Sequence, residues 1–167
     1  MRTKLIIVDS NDNIIDHRFY DDVDDFKNAI YRVSRLWLED KEGNILLSKR
    51  SANITNPNLW SFAAAGMNDE GETYESSIIR EAQEELGLKI DSPKLIGKLF
   101  LKYPNRQIFS ANFRTVLDEV KPSFKYNKEE VGDVRWFTRK ELANFLEDNE
   151  SECVPLLKEI ITKLKLI

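Results

Sequence analysis

Four charged residues stand close together near the middle of the chain, at Arg80, Glu81, Glu84 and Glu85. On a helix the three glutamates share one side, because Glu84 lies about 60° from Glu81 in one direction and Glu85 about 40° in the other. Three carboxylates at such close range repel one another unless a cation compensates their charge. The spacing therefore predicts a site for a hard divalent metal ion with oxygen ligands, magnesium first and manganese as the alternative.

A metal site of this kind suits the hydrolysis of a diphosphate linkage. Divalent cations neutralise the diphosphate, make bound water more acidic and stabilise charge on the leaving oxygen. Glu72 and the backbone around Gly66 can add oxygen ligands, and Arg80 can orient Glu81 by a charge-assisted hydrogen bond. We therefore expect water to attack at phosphorus. The alternative is an ordinary solvated helix face on which Arg80 and Glu84 form an i, i+4 ion pair.

Hydrophobic periodicity predicts the elements that position these residues. Residues 4–15 favour an N-terminal β-hairpin, and residues 31–38 alternate as a half-buried strand does. Further strands are predicted at 45–50, 60–65, 94–103, 107–117 and 132–137, and helices at 74–86, 139–147 and 152–165, with a helix-compatible acidic segment at 20–29. Because strands alternate with helices, the fold class is α/β (α+β), with a mixed β-sheet sandwiched between helices.

The helix at 74–86 carries start and stop signals as well as the acids. Thr73 is a suitable N-cap, and Gly87 stands where a C-terminal glycine ends a helix. Ile79, Ala82 and Leu86 recur at helical spacing, which gives the helix an apolar face to bury. One face of the helix is thus expected to support the fold while another presents the carboxylates.

Composition limits the classes of function. At 167 residues, 41% of them hydrophobic, the chain matches one domain over 1–167. A net charge of −4 and a pI near 5.2 argue against a nucleic-acid partner. With one cysteine, Cys153, and one histidine, His17, an internal disulfide and a Cys/His zinc site are excluded. No apolar run reaches signal-peptide or membrane-spanning length, so we expect a cytoplasmic protein with no membrane partner.

A longer pattern surrounds the acids. Gly66, five residues, Glu72, seven residues and then the run Arg80 to Leu88 match the Nudix box, and the chain resembles the Nudix hydrolase superfamily over essentially its full length. The features that stand in Nudix order outside the box are the strand end 46–50, Trp60 and the segment 130–137. Under this resemblance, residues 1–30 form the N-terminal hairpin and lead-in, 66–88 the box, and 139–167 the C-terminal helices.

The resemblance implies a Nudix fold and a role for each box residue. Glu81, Glu84 and Glu85 would be metal ligands, Glu72 and Gly66 would assist them, and Arg80 would support them. The sequence departs from the pattern at Ala82, where the family prefers a bulky aliphatic residue, but alanine keeps the buried face apolar.

The N-terminal hairpin, Tyr31 to Val33 and the loop Asn56 to Trp60 resemble the Nudix subgroup that includes isopentenyl diphosphate isomerase. The isomerases place a catalytic cysteine just before the glycine that corresponds to Gly66. In this chain that position is Ala65, and Cys153 lies far along the sequence.

The isomerases also use glutamates on a strand after the box. No Asp or Glu occurs between Asp91 and Asp118 in this chain, where Tyr103, Asn105 and Gln107 stand instead. Moving protons on and off a carbon skeleton requires such acid and base groups, so the sequence favours hydrolysis over isomerisation. A catalytically silent, nucleotide-binding regulatory Nudix domain is the third class, and the intact acids of the box argue against it.

Residues outside the box complete the predicted site. Glu130 is predicted to act as general base or additional ligand, and Arg50, Lys102 and Arg106 are predicted to contact phosphate. The expected partner is a small-molecule diphosphate, by default a nucleoside diphosphate derivative or a similar small organic diphosphate, because pocket residues outside the box set specificity. A homodimer stays open as a further partner.

Overall fold

The computed structural model describes residues 3–20, 29–103 and 106–167. The helix-compatible segment at 20–29 falls mainly on residues 21–28, which lie outside the described residues, and so does Asn105. In the described part of the chain there are nine strands and three α-helices. The strands are β1 (Lys4–Val8), β2 (Ile14–Phe19), β3 (Ile30–Glu39), β4 (Ile45–Arg50), β5 (Trp60–Phe62), β6 (Ala64–Met67), β7 (Lys94–Tyr103), β8 (Arg106–Val116) and β9 (Val131–Phe137). The helices are α1 (Tyr74–Leu86), α2 (Arg139–Asp148) and α3 (Leu157–Lys163).

Strand β3 is the centre of one mixed sheet. It runs parallel to β8 along ten residue pairs and antiparallel to β1, β4 and β6. Strand β2 extends the sheet beyond β1, β7 extends it beyond β8, and β4 also pairs with β5 and β9. This mixed sheet and the N-terminal hairpin confirm the predicted fold class. Since strands from both ends of the chain join it, we propose that residues 1–167 form one domain.

Alternation along β3 sends successive side chains to two different cores. Leu36 and Leu38 pack in the cluster that contains the buried face of α1, whereas Trp37 packs in the cluster that includes Leu142 of α2 and Leu157 of α3. The sheet is therefore covered by α1 on one face and by α2 and α3 on the other, as predicted. No helix in the described ranges is long and apolar enough to cross a membrane.

Three local predictions need correction. The predicted strand at 60–65 is two strands, because the chain changes partner at Ala63, with β5 on β4 and β6 on β3. The predicted helix at 152–165 is a short 3₁₀ turn (Glu150–Glu152) followed by the shorter helix α3. Pro155 has no backbone N–H to continue a helix, and Leu156 has a φ of +70°. On α1, Ile78 is fully buried, whereas Ile79 is only partly buried.

Candidate active site

Helix α1 is fixed at both ends, which holds its acids in place. Thr73 Oγ1 accepts a hydrogen bond from Ser76 N at 3.1 Å, and the Ser76 hydroxyl completes the capping box. Gly87 ends the helix in the left-handed conformation, with a φ of +65°. Ile78, Ala82 and Leu86 are buried against the sheet, so the helix cannot rotate without exposing them. The predicted bounds and caps of this helix are confirmed.

Glu81 lies against the backbone of β6 at Gly66. A Cβ atom added to Gly66 would lie 1.8 Å from Glu81 Oε1, so only glycine permits this approach. The Glu81 residue is 7% exposed. Burial raises the pKa of Glu81 to about 7, opposed by Arg80 and aided by the nearby carboxylates of Glu84 and Glu130.

Glu85, one turn further along α1, is held against Ala65, the residue before Gly66 on the same strand. Its Oε2 accepts a hydrogen bond from Ala65 N at 3.1 Å, and the residue is 8% exposed. Burial raises the pKa of Glu85 to about 8, and repulsion from Glu81 and Glu130 adds to the effect. Burial and mutual repulsion thus favour the neutral forms of these two acids unless a cation reaches them.

Arg80 gathers the remaining acids of the box. Its Nε donates to Glu72 Oε1 at 2.7 Å and its NH1 to Glu84 Oε2 at 2.8 Å, and NH1 also lies 2.8 Å from Glu81 Oε1. Hydrogen bonds to Glu72 are the main reason that the pKa of Arg80 is raised. Burial opposes ionisation of Glu72, but the bonds from Arg80 and from Asp69 N outweigh it and lower its pKa. The predicted Arg80–Glu81 contact is therefore present, and so is the i, i+4 pair with Glu84.

A small cleft opens beside Glu85, lined by residues from β4, β5, β6 and the start of β9. Arg50, Phe62, Ala65, Glu85 and Glu130 are among its lining residues. Burial lowers the pKa of Arg50, and attraction to Glu85 and Glu130 partly offsets the effect. The cleft thus places one cation beside two carboxylates.

Glu130 is held in this cleft by residues that the sequence did not single out. Asn127 Nδ2 donates to Glu130 Oε1 at 2.8 Å, and Ser51 N donates to the Glu130 carbonyl oxygen at 2.9 Å. Asn127 also donates its backbone N–H to the Glu85 carbonyl oxygen at 2.9 Å. Asn127 therefore ties the Glu130 loop to the end of α1.

The structure brings some predicted residues together and leaves others apart. Glu81, Glu85, Glu130 and Arg50 converge on β6 and the cleft, whereas the Glu84 side chain is 51% exposed on the outer side of Arg80. Lys102 is exposed, with Nζ 5.6 Å from the centre of the Phe100 ring, and neither Lys102 nor Arg106 lines the cleft. Phosphate binding by Lys102 and Arg106 stays a prediction.

The donor chemistry of the site fits a divalent cation. In the described part of the chain no three His, Cys, Asp or Glu side chains already converge on one point as metal ligands, since Arg80 holds Glu72, Glu84 and one oxygen of Glu81. However, Glu81 and Glu85 present carboxylate oxygens from buried positions, and burial is the main reason that their pKa values are raised. Hard cations that prefer oxygen ligands suit these donors.

Sequence reasoning also missed Arg35, on the strand next to β6. Arg35 occupies an inward position of β3 between Val33 and Trp37, and the residue is only 9% exposed. A charged residue at a position that alternation assigns to the core is rare, and that mismatch was the available signal.

The chain is similar to known proteins over most of its length. The model of the NUDIX domain family matches residues 31–157. A prenyl-diphosphate phosphatase of Methanosarcina mazei is 30% identical over 159 residues, which covers 94% of this chain and 92% of that protein. An isopentenyl-diphosphate Delta-isomerase 2 of Photorhabdus laumondii is 25% identical over 96% of this chain and 91% of its own length. A crystal structure of a Deinococcus radiodurans protein shares the fold, with a TM-score of 0.79 at 22% identity, covering 96% of this chain and 98% of that one.

Proposed function

This chain belongs to the Nudix family, and we propose that it is a metal-dependent pyrophosphohydrolase acting on a nucleoside diphosphate derivative or a similar small organic diphosphate. The observation that carries the proposal is the pair of buried carboxylates, Glu81 and Glu85, pressed against the backbone of Ala65 and Gly66. Burying two like charges costs free energy unless a cation compensates them. A divalent cation is the compensating group that diphosphate chemistry also needs.

Each acid of the box has a part in this proposal. Glu81, Glu84 and Glu85 would hold the ion, with Glu72 and the backbone of Gly66 assisting, and magnesium is the expected ion with manganese as the alternative. When bound, the ion supplies charge neutralisation for the diphosphate and a more acidic water. Arg80 keeps Glu72 in place by two hydrogen bonds and sets the position of Glu81.

Glu130 is the proposed general base. Its carboxylate faces the same cleft as Glu85, and Asn127 fixes one of its oxygens, so the group is aimed rather than free to rotate. A base in that position can accept a proton from water that attacks phosphorus. Arg50 lines the same cleft and can contact a phosphate oxygen.

Isomerisation of a prenyl diphosphate is the competing reaction, because an isomerase is among the relatives. Ala65 stands before Gly66 and cannot transfer a proton. On β8 the side chains that share the face of Arg35 include Ser110 and Asn112, which are neutral at physiological pH. Hydrolysis needs neither a cysteine before Gly66 nor acidic residues on β8, so Ala65, Ser110 and Asn112 favour the hydrolase.

A prenyl diphosphate is the second candidate substrate for hydrolysis. It rests on the Methanosarcina mazei relative, which is similar to this chain over nearly the whole length of both proteins. The default remains a nucleoside diphosphate derivative, because polar groups surround the cleft.

A panel of substrates tests the proposal. Nucleoside triphosphates, nucleotide sugars, dinucleotides, geranyl diphosphate and isopentenyl diphosphate would be incubated with Mg²⁺ or Mn²⁺, and the products would be identified by ³¹P NMR and mass spectrometry. We expect release of phosphate or a mononucleotide from at least one compound. Conversion of isopentenyl diphosphate to its isomer would replace the hydrolase proposal, and nucleotide binding without turnover would support a regulatory domain.

Matched variants on the same helix connect turnover to the site. Glu84→Gln and Glu85→Gln should each lower kcat/KM by about 10²-fold or more, since each removes a charge from the proposed metal site. Glu75→Gln, at an exposed position in the first turn of α1, is the control and should leave kcat/KM within about 3-fold. If the first two variants behave like the control, the proposed metal site is wrong.

A further inference from the structure

Arg35 is a buried cation that no carboxylate of the described residues neutralises. Within the described residues its polar contacts are a hydrogen bond from NH1 to Ser110 Oγ at 2.5 Å and an interaction with Tyr103, and its guanidinium lies 5.9 Å from the centre of the Phe62 ring. None of the ion pairs in those ranges involves it. Burial lowers the pKa of Arg35, which is the expected response of a cation removed from water without a counter-charge.

The other two arginines around the acidic cluster both lie near carboxylates. Arg80 contacts the carboxylates of Glu72, Glu81 and Glu84. Arg50 donates to the Thr55 carbonyl oxygen at 2.6 Å and is attracted by Glu85 and Glu130. Of these three cations, Arg35 is the one that no carboxylate of the described residues attracts, so it has the greatest need of a negatively charged ligand.

The register of the sheet places Arg35 beside the cleft. Gly66 faces α1, because a Cβ atom there would meet Glu81, so its neighbour Ala65 faces the opposite side. Arg35 pairs with Ala65 across the β3–β6 ladder and therefore shares that side. Ala65 and Phe62, the neighbours of Arg35, both line the cleft that contains Glu85 and Glu130. Arg35 thus lies one side chain away from the proposed reaction centre.

We propose that Arg35 binds a phosphate group of the substrate diphosphate from the sheet face opposite α1. This inference rests on the proposed function and deepens it. A guanidinium offers five donors in a planar fork that matches phosphate oxygens, and in a water-poor environment the pairing is stronger than at the surface. A phosphate fits better than an uncharged part of the substrate, because it supplies the missing negative charge as well as acceptors. The acids of α1 and Arg35 would then hold the diphosphate from two sides.

Binding of methylenediphosphonate, a diphosphate analogue that cannot be hydrolysed, tests the inference independently of turnover. Calorimetry with Mg²⁺ would compare the wild type, Arg35→Met, which keeps the length of the side chain without charge, and Arg35→Lys, which keeps the charge without the fork. We expect the Kd to rise about 10- to 100-fold in Arg35→Met, the range that a hydrogen bond to a charged group supports, and by less in Arg35→Lys. KM for the best substrate should rise in parallel, with kcat within about 3-fold.

The unliganded protein gives a readout that a structural role would not. Removing an uncompensated buried charge should raise the melting temperature of Arg35→Met in EDTA by about 3 °C or more. Arg114→Met is the matched control, since Arg114 lies on the adjacent strand and pairs with Glu39 at 2.6 Å. This control should not gain stability, and its Kd for methylenediphosphonate should not change.

The outcomes separate this inference from the proposed function. An unchanged Kd in Arg35→Met, or a wild type that binds no methylenediphosphonate, overturns the role of Arg35 even if hydrolysis is found. A higher KM with an unchanged Kd means that Arg35 contacts the organic part of the substrate, which also overturns the inference. A wild type without turnover whose methylenediphosphonate affinity depends on Arg35 rejects the proposed hydrolysis and retains the phosphate site.

Discussion

Gly66→Ala should separate catalysis from folding, because the three atoms nearest to the added methyl group all belong to the side chain of Glu81, a proposed metal ligand. The new Cβ atom would lie 1.8 Å from Glu81 Oε1, and an ordinary contact begins at 3.4 Å, so that oxygen has to move by about 1.6 Å. The φ of Gly66 is not positive, so alanine fits the backbone. Displacing a catalytic group by about 1 Å can cost about 10²-fold in rate, and we expect kcat/KM to fall by that factor or more.

Gly97→Ala is the control for this experiment. There the Cβ atom would lie 2.5 Å from Leu164 Cδ2, which is again the end of a flexible side chain but belongs to the core under β7 rather than to the acidic cluster. Both variants would be compared by thermal unfolding and by kcat/KM at saturating Mg²⁺. We expect similar small losses of stability, with a large loss of activity only in Gly66→Ala. If Gly66→Ala is folded and keeps kcat/KM within about 3-fold of the wild type, the position assigned to Glu81 has no part in catalysis.

Two further predictions follow from the site. The folded-state pKa values of Glu81 and Glu85, about 7 and about 8, lie above the ordinary value of 4.5. These acids therefore stabilise the metal-free fold at low pH, and that contribution to stability is lost as pH rises through 7 to 8. The melting temperature in EDTA should therefore fall between pH 5.5 and 8.5, and Mg²⁺ should reverse the loss; a flat profile would contradict the burial of these acids. Asn127→Ala removes the hydrogen bond that fixes the Glu130 carboxylate, so kcat should fall about 10-fold. The Mg²⁺ concentration for half-maximal activity should stay unchanged. If that concentration rises as well, Asn127 supports the metal site instead of the general base.

Much of the fold could be predicted because periodicity and capping act locally. The helix carrying the acids was predicted from 74 to 86 with Thr73 and Gly87 at its ends, and these bounds are the observed ones. The strand at 60–65 was predicted as one element because the run from Trp60 to Ala65 is continuously apolar or small. Its division into β5 and β6 depends on which distant strand each half pairs with, and no local signal encodes that choice.

The same distinction holds for the site. Glu81 and Glu85 were predicted as neighbours because helical spacing alone relates them, and the structure adds their burial against β6. Asn127 and Arg35 come from other parts of the chain, so their proximity to the cleft depends on long-range pairing. The charge of Arg35 at an inward strand position was visible in the sequence. That no carboxylate within 3–20, 29–103 and 106–167 pairs with it could be recognised only when the neighbouring strands were in place.

Hydrolysis of the best substrate in ¹⁸O-labelled water, followed by ³¹P NMR with Mg²⁺ and with EDTA, tests the central claim most directly. We predict that one phosphorus-containing product carries a single ¹⁸O atom, because water attacks at phosphorus, and that no product forms in EDTA. Turnover without ¹⁸O on phosphorus, or an equal rate in EDTA, would contradict metal-dependent hydrolysis at the carboxylates of α1.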